Sequence, residues 1–152
     1  MTEHSDIATL ISRLFRTLDE REFAEGWHRD FLTDDVRMIT PIGTAEGDAA
    51  VRDTVDAVER FDRTQHLATD VLIDVDGDAA TASWNALMVH VHRQSTLDRR
   101  GPDANPVFTV GGTYDADLRR TANGWRFNRM SIRAIWTTGR PPVLPPEIQP
   151  VV

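Results

Sequence analysis

The chain contains no cysteine among its 152 residues. Disulfides, thiolate nucleophiles and cysteine-ligated metals are therefore excluded. It has a single tyrosine, Tyr114, so no site can rest on a pair of phenols. No apolar run reaches the ~20 residues that cross a bilayer. Met1 to Asp6 is polar and the apolar residues after it are spaced helically, unlike a signal peptide, so the expected setting is the cytoplasm. No block of basic residues occurs, and a formal charge of −7 argues against a nucleic-acid surface. What is present is ordinary for a globular chain, with 40% hydrophobic and 27% charged residues. The length suits one domain with a real core.

The most informative stretch runs from Thr64 to Gln94. Two extended runs meet at Asp76-Gly77, a dipeptide that favours a tight hairpin because it accepts positive φ. Side chains alternate along a strand, so Ala80, Ala82, Trp84, Ala86, Met88, His90 and His92 share one face. Antiparallel pairing brings His66 towards the end carrying His90 and His92. Three of the five histidines then converge beside small side chains, which suggests a pocket. The opposite face, from Thr81, Ser83 and Asn85 to Leu87, Val89 and Val91, grows apolar towards the same end. It predicts self-association, as a dimer or, less simply, a trimer.

Before the hairpin, Ser5 or Asp6 can cap a helix with the apolar stripe Ile7, Leu10, Ile11, Leu14, Phe15 and Leu18. Asp19 borders the end of that stripe, where the helix macrodipole disfavours a carboxylate; locally it reads as a solvated turn residue. Phe23, Trp27 and Phe31 suit a short second helix with His28 towards solvent. Val36 to Thr40 reads as a strand, and Asp48 can cap a third helix. After the hairpin, Ser95 to Pro106 reads as a mobile loop. Val107 to Leu118 is a strand with a bulge at Gly111-Gly112, Asn123-Gly124 is a turn, and Trp125 to Trp136 is the last strand. The domain is expected to span residues 1–138. A tail, 139–152, holds five of the eight prolines. The class is α+β, with helices packed on a mostly antiparallel sheet.

The runs LDEREFAEGW, TQHLATDVLIDVDGDAAT and GGTYDADLRRTANGWRF resemble the SnoaL-like branch of the NTF2-like superfamily, from about Ile7 to Trp136. The resemblance implies a cone: a strongly curved sheet wrapped by three N-terminal helices around a deep cavity. Its members include polyketide cyclases, ketosteroid isomerases, scytalone dehydratase-like enzymes, dioxygenase small subunits and domains without catalysis. The scytalone dehydratase pattern places the acid–base groups at Asp19, His66 and His90, with small polar contacts near Thr113 and Asp115. Where that pattern has two tyrosines, this chain has Leu18 and about Thr40. Substrate contacts are accordingly expected from Thr40, Trp84, Met88, His92, Thr113, Tyr114, Asp115 and Trp136.

An imidazole titrates near neutral pH, so it can accept and return a proton in one cycle. A carboxylate in hydrogen-bonding reach would fix its tautomer. Such a site could isomerise, eliminate or close a ring in a hydrophobic carbonyl or hydroxyl compound, and none of these reactions demands a cofactor. His90-Val91-His92 with His66 also admits a metal reading, but the resembled family implies a metal-free site. Two other classes stay open: a non-catalytic binding module, and an accessory subunit resembling the dioxygenase small subunit.

Overall fold

The computed structural model describes residues 2–148. Helix α1 (Glu3–Glu20) buries Ile7, Ile11, Leu14, Phe15 and Leu18. At about 1.5–3 kcal/mol per fully buried side chain, this stripe is what holds the helix against the sheet. It begins before Ser5 and Asp6: Thr2 is the cap, its Oγ1 accepting the Ser5 N–H at 3.2 Å. The expected second helix is one 3₁₀ turn, Trp27–Asp30. Phe31 is buried there, while Phe23 and Trp27 pack at the core's margin. His28 is half-buried, edge-on to Trp27, rather than turned to solvent.

Strand β1 (Leu32–Thr40) starts four residues earlier than expected and forms a hairpin with an unforeseen short strand, β2 (Gly43–Glu46). Helix α2 (Gly47–Glu59) follows, burying Ala50 and Val58. Glu46 occupies its cap position and Asp48 lies in its first turn, so Asp48 is not the cap. The central hairpin is β3 (Phe61–Asp76) and β4 (Ala79–His92). Asp76 pairs with Ala79, so the loop is Gly77-Asp78, one residue beyond the expected dipeptide. Gly77 takes φ 62°, which glycine adopts without steric cost. Within the supposed mobile loop lies a helix, α3 (Gln94–Arg100), where Gln94 donates to Asp98 one turn on at 2.8 Å. Strands β5 (Val107–Thr121) and β6 (Gly124–Thr138) complete the sheet. Thr121 pairs with Gly124, moving that turn to Ala122-Asn123.

The strand order is β2-β1-β6-β5-β4-β3. β1 and β6 run parallel and every other pairing is antiparallel. The result is an α+β fold in which a curved mixed sheet is wrapped by helices, with α1 lying on the inner face chiefly against β3. Bulges set the curvature. One lies between Thr69 and Leu72, where Asp70 takes φ 54°. Another lies at Gly111/Gly112, as the double glycine predicts. A Cβ on Gly112 would sit 2.4 Å from the Arg133 carbonyl oxygen of the neighbouring strand. Gly112→Ala is therefore expected to destabilise the fold by about 1–3 kcal/mol, read from the urea midpoint. An unchanged midpoint would contradict that close approach.

After Thr138 the chain forms no further helix or strand as far as residue 148. Its first residues wrap the body. The Arg100 guanidinium donates to the Pro141 carbonyl at 2.6 Å, and His92 Nε2 lies 2.8 Å from the Arg140 carbonyl. The last four residues of the proline-rich tail lie outside the described residues.

Candidate active site

Alternation along β3 turns Thr64 and His66 to the inner face, and register places His66 opposite Met88 and Thr64 opposite His90. Asp19 approaches them from the last turn of α1. Its Oδ1 lies 2.6 Å from His66 Nδ1 and accepts the Thr64 hydroxyl at 3.0 Å, while Oδ2 accepts the His66 backbone N–H at 2.8 Å. Asp19 thus has three donors from one strand at the helix end where a carboxylate is least favoured. Burial would raise its pKa, but the bonds from the His66 ring and backbone, the His66 charge and the Thr64 hydroxyl outweigh burial and hold it below the ordinary value.

Arg21 fixes this approach. It ends α1 in the left-handed conformation, with φ 54° and ψ 43°. Its guanidinium donates to the carbonyls of Val58 at 3.2 Å and Phe61 at 2.6 Å, tying the end of α1 to the end of α2 and the start of β3. Neither Arg21 nor Thr64 was singled out from the sequence. Thr64 could have been, because it precedes His66 by two and shares its face. Arg21 sits in an acidic run that gives no such signal.

Because a carboxylate only accepts, His66 Nδ1 carries the hydrogen in this bond, leaving Nε2 as the working nitrogen. The His66 side chain is 7% exposed and that of Asp19 19%. Phe15 tilts against the His66 ring at 5.2 Å, and His90 stands edge-on to it at 6.1 Å. His90 donates Nδ1–H to the Phe108 carbonyl at 2.9 Å. Burial pushes its pKa down to about 4; the Phe108 carbonyl opposes this, His66 and His92 add to it, and Asp19 opposes it weakly. His90 is therefore neutral at pH 7. Beside the dyad opens a groove of about 740 Å³ that crosses the β3 edge, lined by Asp19, Thr64 and His66 with Arg63, Gln65 and Val89 among others.

The remaining expected contacts divide by face. Trp84, Met88 and Tyr114 are on the inner face at 2%, 6% and 4% exposure, with Trp84 stacked on Tyr114 at 5.0 Å. His92 is buried under the start of the tail. Thr113 and Asp115 are not in the site. Trp84 pairs with Tyr114, so the residues flanking Tyr114 belong to the outer face with Asn85 and Ser83. Trp136 is also on the outer face, where its indole lies across Gly111. The Thr40 hydroxyl is engaged locally, donating to the Gly43 carbonyl and accepting the Ile42 N–H in the β1–β2 turn. Among the described residues no group of three or more histidine or acidic side chains is placed to hold a metal ion. None of the helices there is long and apolar enough to cross a membrane.

Comparison with known proteins agrees with this architecture. A Kribbella flavida protein superposes with a TM-score of 0.80 at 21% identity, over 90% of this chain and 93% of its own. The hexachlorocyclohexane dehydrochlorinase LinA-type3 from Novosphingobium barchaimii gives 0.70 at 19% identity, over 94% of each chain. An NTF2-like superfamily protein from Salmonella enterica gives 0.73 at 17% identity, over 90% and 94%. No curated protein matches the sequence significantly. The model of the SnoaL-like domain matches residues 1–131, and the chain belongs to that family.

Proposed function

We propose that this protein is a lyase or isomerase that works by general acid–base catalysis on a small hydrophobic carbonyl or hydroxyl compound, with His66 as its base. The observation that supports the reading is the 2.6 Å contact between Asp19 and His66 Nδ1, which occupies that nitrogen and leaves Nε2 to act as the base. His66 Nε2 removes a proton from a carbon next to a carbonyl, and the electron pair moves into the enolate. Asp19 then faces the imidazolium, stabilising it in a site that excludes most water. Return of the proton to another carbon gives an isomer. Loss of a leaving group gives an alkene, and attack of the enolate on a second carbonyl closes a ring. An elimination enzyme, the dehydrochlorinase, shares the fold, which supports this class without fixing a substrate. His90, neutral and with its Nδ1–H held by the Phe108 carbonyl, stands 6.1 Å from His66 ring to ring.

A panel of cyclic and aryl ketones in D₂O tests the reading. Wild type is expected to accelerate deuterium entry beside the carbonyl of at least one member. Tight binding of a member with no exchange would make the site a binding module for that compound.

The outer face supports self-association as part of the same reading. Leu67, Leu87, Gly111 and Trp136 form one registered row across four strands, with Leu67 42%, Leu87 39% and Trp136 49% exposed. The bulge at Asp70 brings Leu72 onto this face as well, opposite Ser83. Pairing two such faces in a closed dimer would cover the row. Sedimentation should show a dimer at micromolar concentration and a monomer for Leu87→Arg; a monomeric wild type would refute the association.

A further inference from the structure

The groove beside Asp19 and His66 has a second chemical character at its outer end. β3 is an edge strand, so the groove wraps around it onto the outer face of the sheet. There Arg63 and Gln65 stand two residues apart on β3, and their cross-strand neighbours are Val91 and Val89. Two polar donors beside two valines make an amphipathic wall. Arg16 of α1 adds a second guanidinium to the lining, one turn before Glu20. The chain carries a formal charge of −7, so two arginines on one groove run against its overall balance.

Neither outer donor is used up within the chain. Arg63 Nε donates to Asp62 at 3.1 Å, which leaves its two Nη groups without a partner among the described residues. The Gln65 carboxamide has none there either. A guanidinium engaged through Nε alone still offers its Nη pair as a fork, the geometry that grips a carboxylate with two parallel bonds. Arg16 is less free, its Nη1 lying 3.9 Å from Glu20. Asp19 and Glu20 repel an anion from the α1 side of the groove, so a carboxylate is driven towards Arg63 and away from the dyad. Arg63 precedes His66 by three residues, about 10 Å along the strand. A ligand gripped there needs a spacer before its carbonyl reaches His66, and Val89 and Val91 give that spacer an apolar surface.

We infer that Arg63, with Gln65 beside it, anchors a substrate carboxylate, and that the groove selects keto acids whose carboxylate and carbonyl are separated by an apolar ring or chain. This rests on the reading of His66 as the base. The Arg63 fork takes the carboxylate end-on, Gln65 donates an amide N–H to the same group, and Asp19 repels it. The ligand is thereby seated in one orientation, with the carbon beside its carbonyl turned to His66. The charged end stays at the exposed mouth, where little desolvation is required of it. A 2-oxo acid, with its carboxylate directly on the carbonyl, is too short to serve both ends of the groove.

The anchor can be tested apart from proton removal. The probes are para-acetylbenzoate and its methyl ester: both carry the aryl ketone, and only the first carries the charge. Titration calorimetry should show wild type binding the carboxylate about tenfold more tightly than the ester, the lower end of the range for a hydrogen bond to a charged group. Arg63→Gln should abolish that preference and Arg63→Glu should reverse it. The Arg63 side chain is 79% exposed, so the fold is expected to tolerate both changes. His66→Ala should keep the preference, because the anchor acts apart from the base. Equal affinity for the two compounds in wild type, binding of neither, or an undiminished preference in Arg63→Gln would overturn the proposal. Deuterium entry into the acetyl group judges the base separately. Preference without exchange in wild type leaves the anchor standing and counts against His66; exchange of both compounds at equal affinity keeps the base and refutes the anchor.

Discussion

Replacing His66 by alanine is expected to slow turnover about 10²–10⁴-fold with the fold left in place, the range for loss of a positioned acid–base group. The fold survives because Asp19 is not stranded. The Thr64 hydroxyl and the backbone N–H of residue 66 still reach it after the ring is gone. His66→Asn should do little better than alanine, since an amide N–H can donate to Asp19 but cannot carry a proton near neutral pH. Asp19→Asn should also be slow, because it removes the anion that faces the imidazolium and offers an amide N–H as well as an oxygen to Nδ1, so the ring's tautomer is no longer fixed. Undiminished turnover in His66→Ala, measured on any compound the wild type converts, would remove His66 from the chemistry.

Acid should weaken the fold well before the carboxylates titrate, and His90 is the reason. Its pKa is about 4 in the folded chain against an ordinary 6.5. Between those values the unfolded chain binds a proton that the folded chain refuses, so stability falls as pH falls from 6.5 towards 4. The full shift corresponds to at most about 3 kcal/mol. Asp19 acts lower: its depressed pKa gives stability that is present above the ordinary carboxylate range and is lost as pH drops below about 4. His90→Phe keeps the aromatic layer with Phe61 and Phe108, at 4.4 and 5.5 Å, and removes the titration. Urea midpoints across pH 4–6.5 should therefore be flatter for the variant than for wild type. Parallel curves would show that His90 does not bear this sensitivity.

Much of this was legible in the sequence because a few strong periodicities decide it. The α1 stripe and the alternation of β4 placed Phe15, Trp84 and Met88 on buried surfaces, where they lie, and put His90 on the same face of β4, where it is half-buried. His66 followed from antiparallel pairing. Asp19 did not follow from local chemistry, which reads it as a solvated turn residue at an unfavourable helix end; the family resemblance singled it out. Elements of four and seven residues, β2 and α3, are too short to show a period. The two turns slipped by one residue because glycine marks positive φ without saying which turn position it fills. Thr113 and Asp115 were assigned by resemblance against a signal already present: Tyr114, Ala116 and Leu118 alternate as the buried face of β5. Trp136 could not be placed the same way, since β6 carries two register shifts, opposite Asp117/Leu118 and opposite Gly111/Gly112, and each resets its parity.

The polarity of the dyad is open to one direct observation. Nitrogen-15 NMR of the histidine-labelled protein at neutral pH, with His66 assigned through His66→Ala, reports which ring nitrogen carries the hydrogen. The expected result is a protonated Nδ1 and a bare Nε2 in wild type, with that Nδ1–H signal lost or shifted in Asp19→Asn. A wild-type ring protonated on Nε2 and bare on Nδ1 would leave no base facing the substrate and would contradict the account.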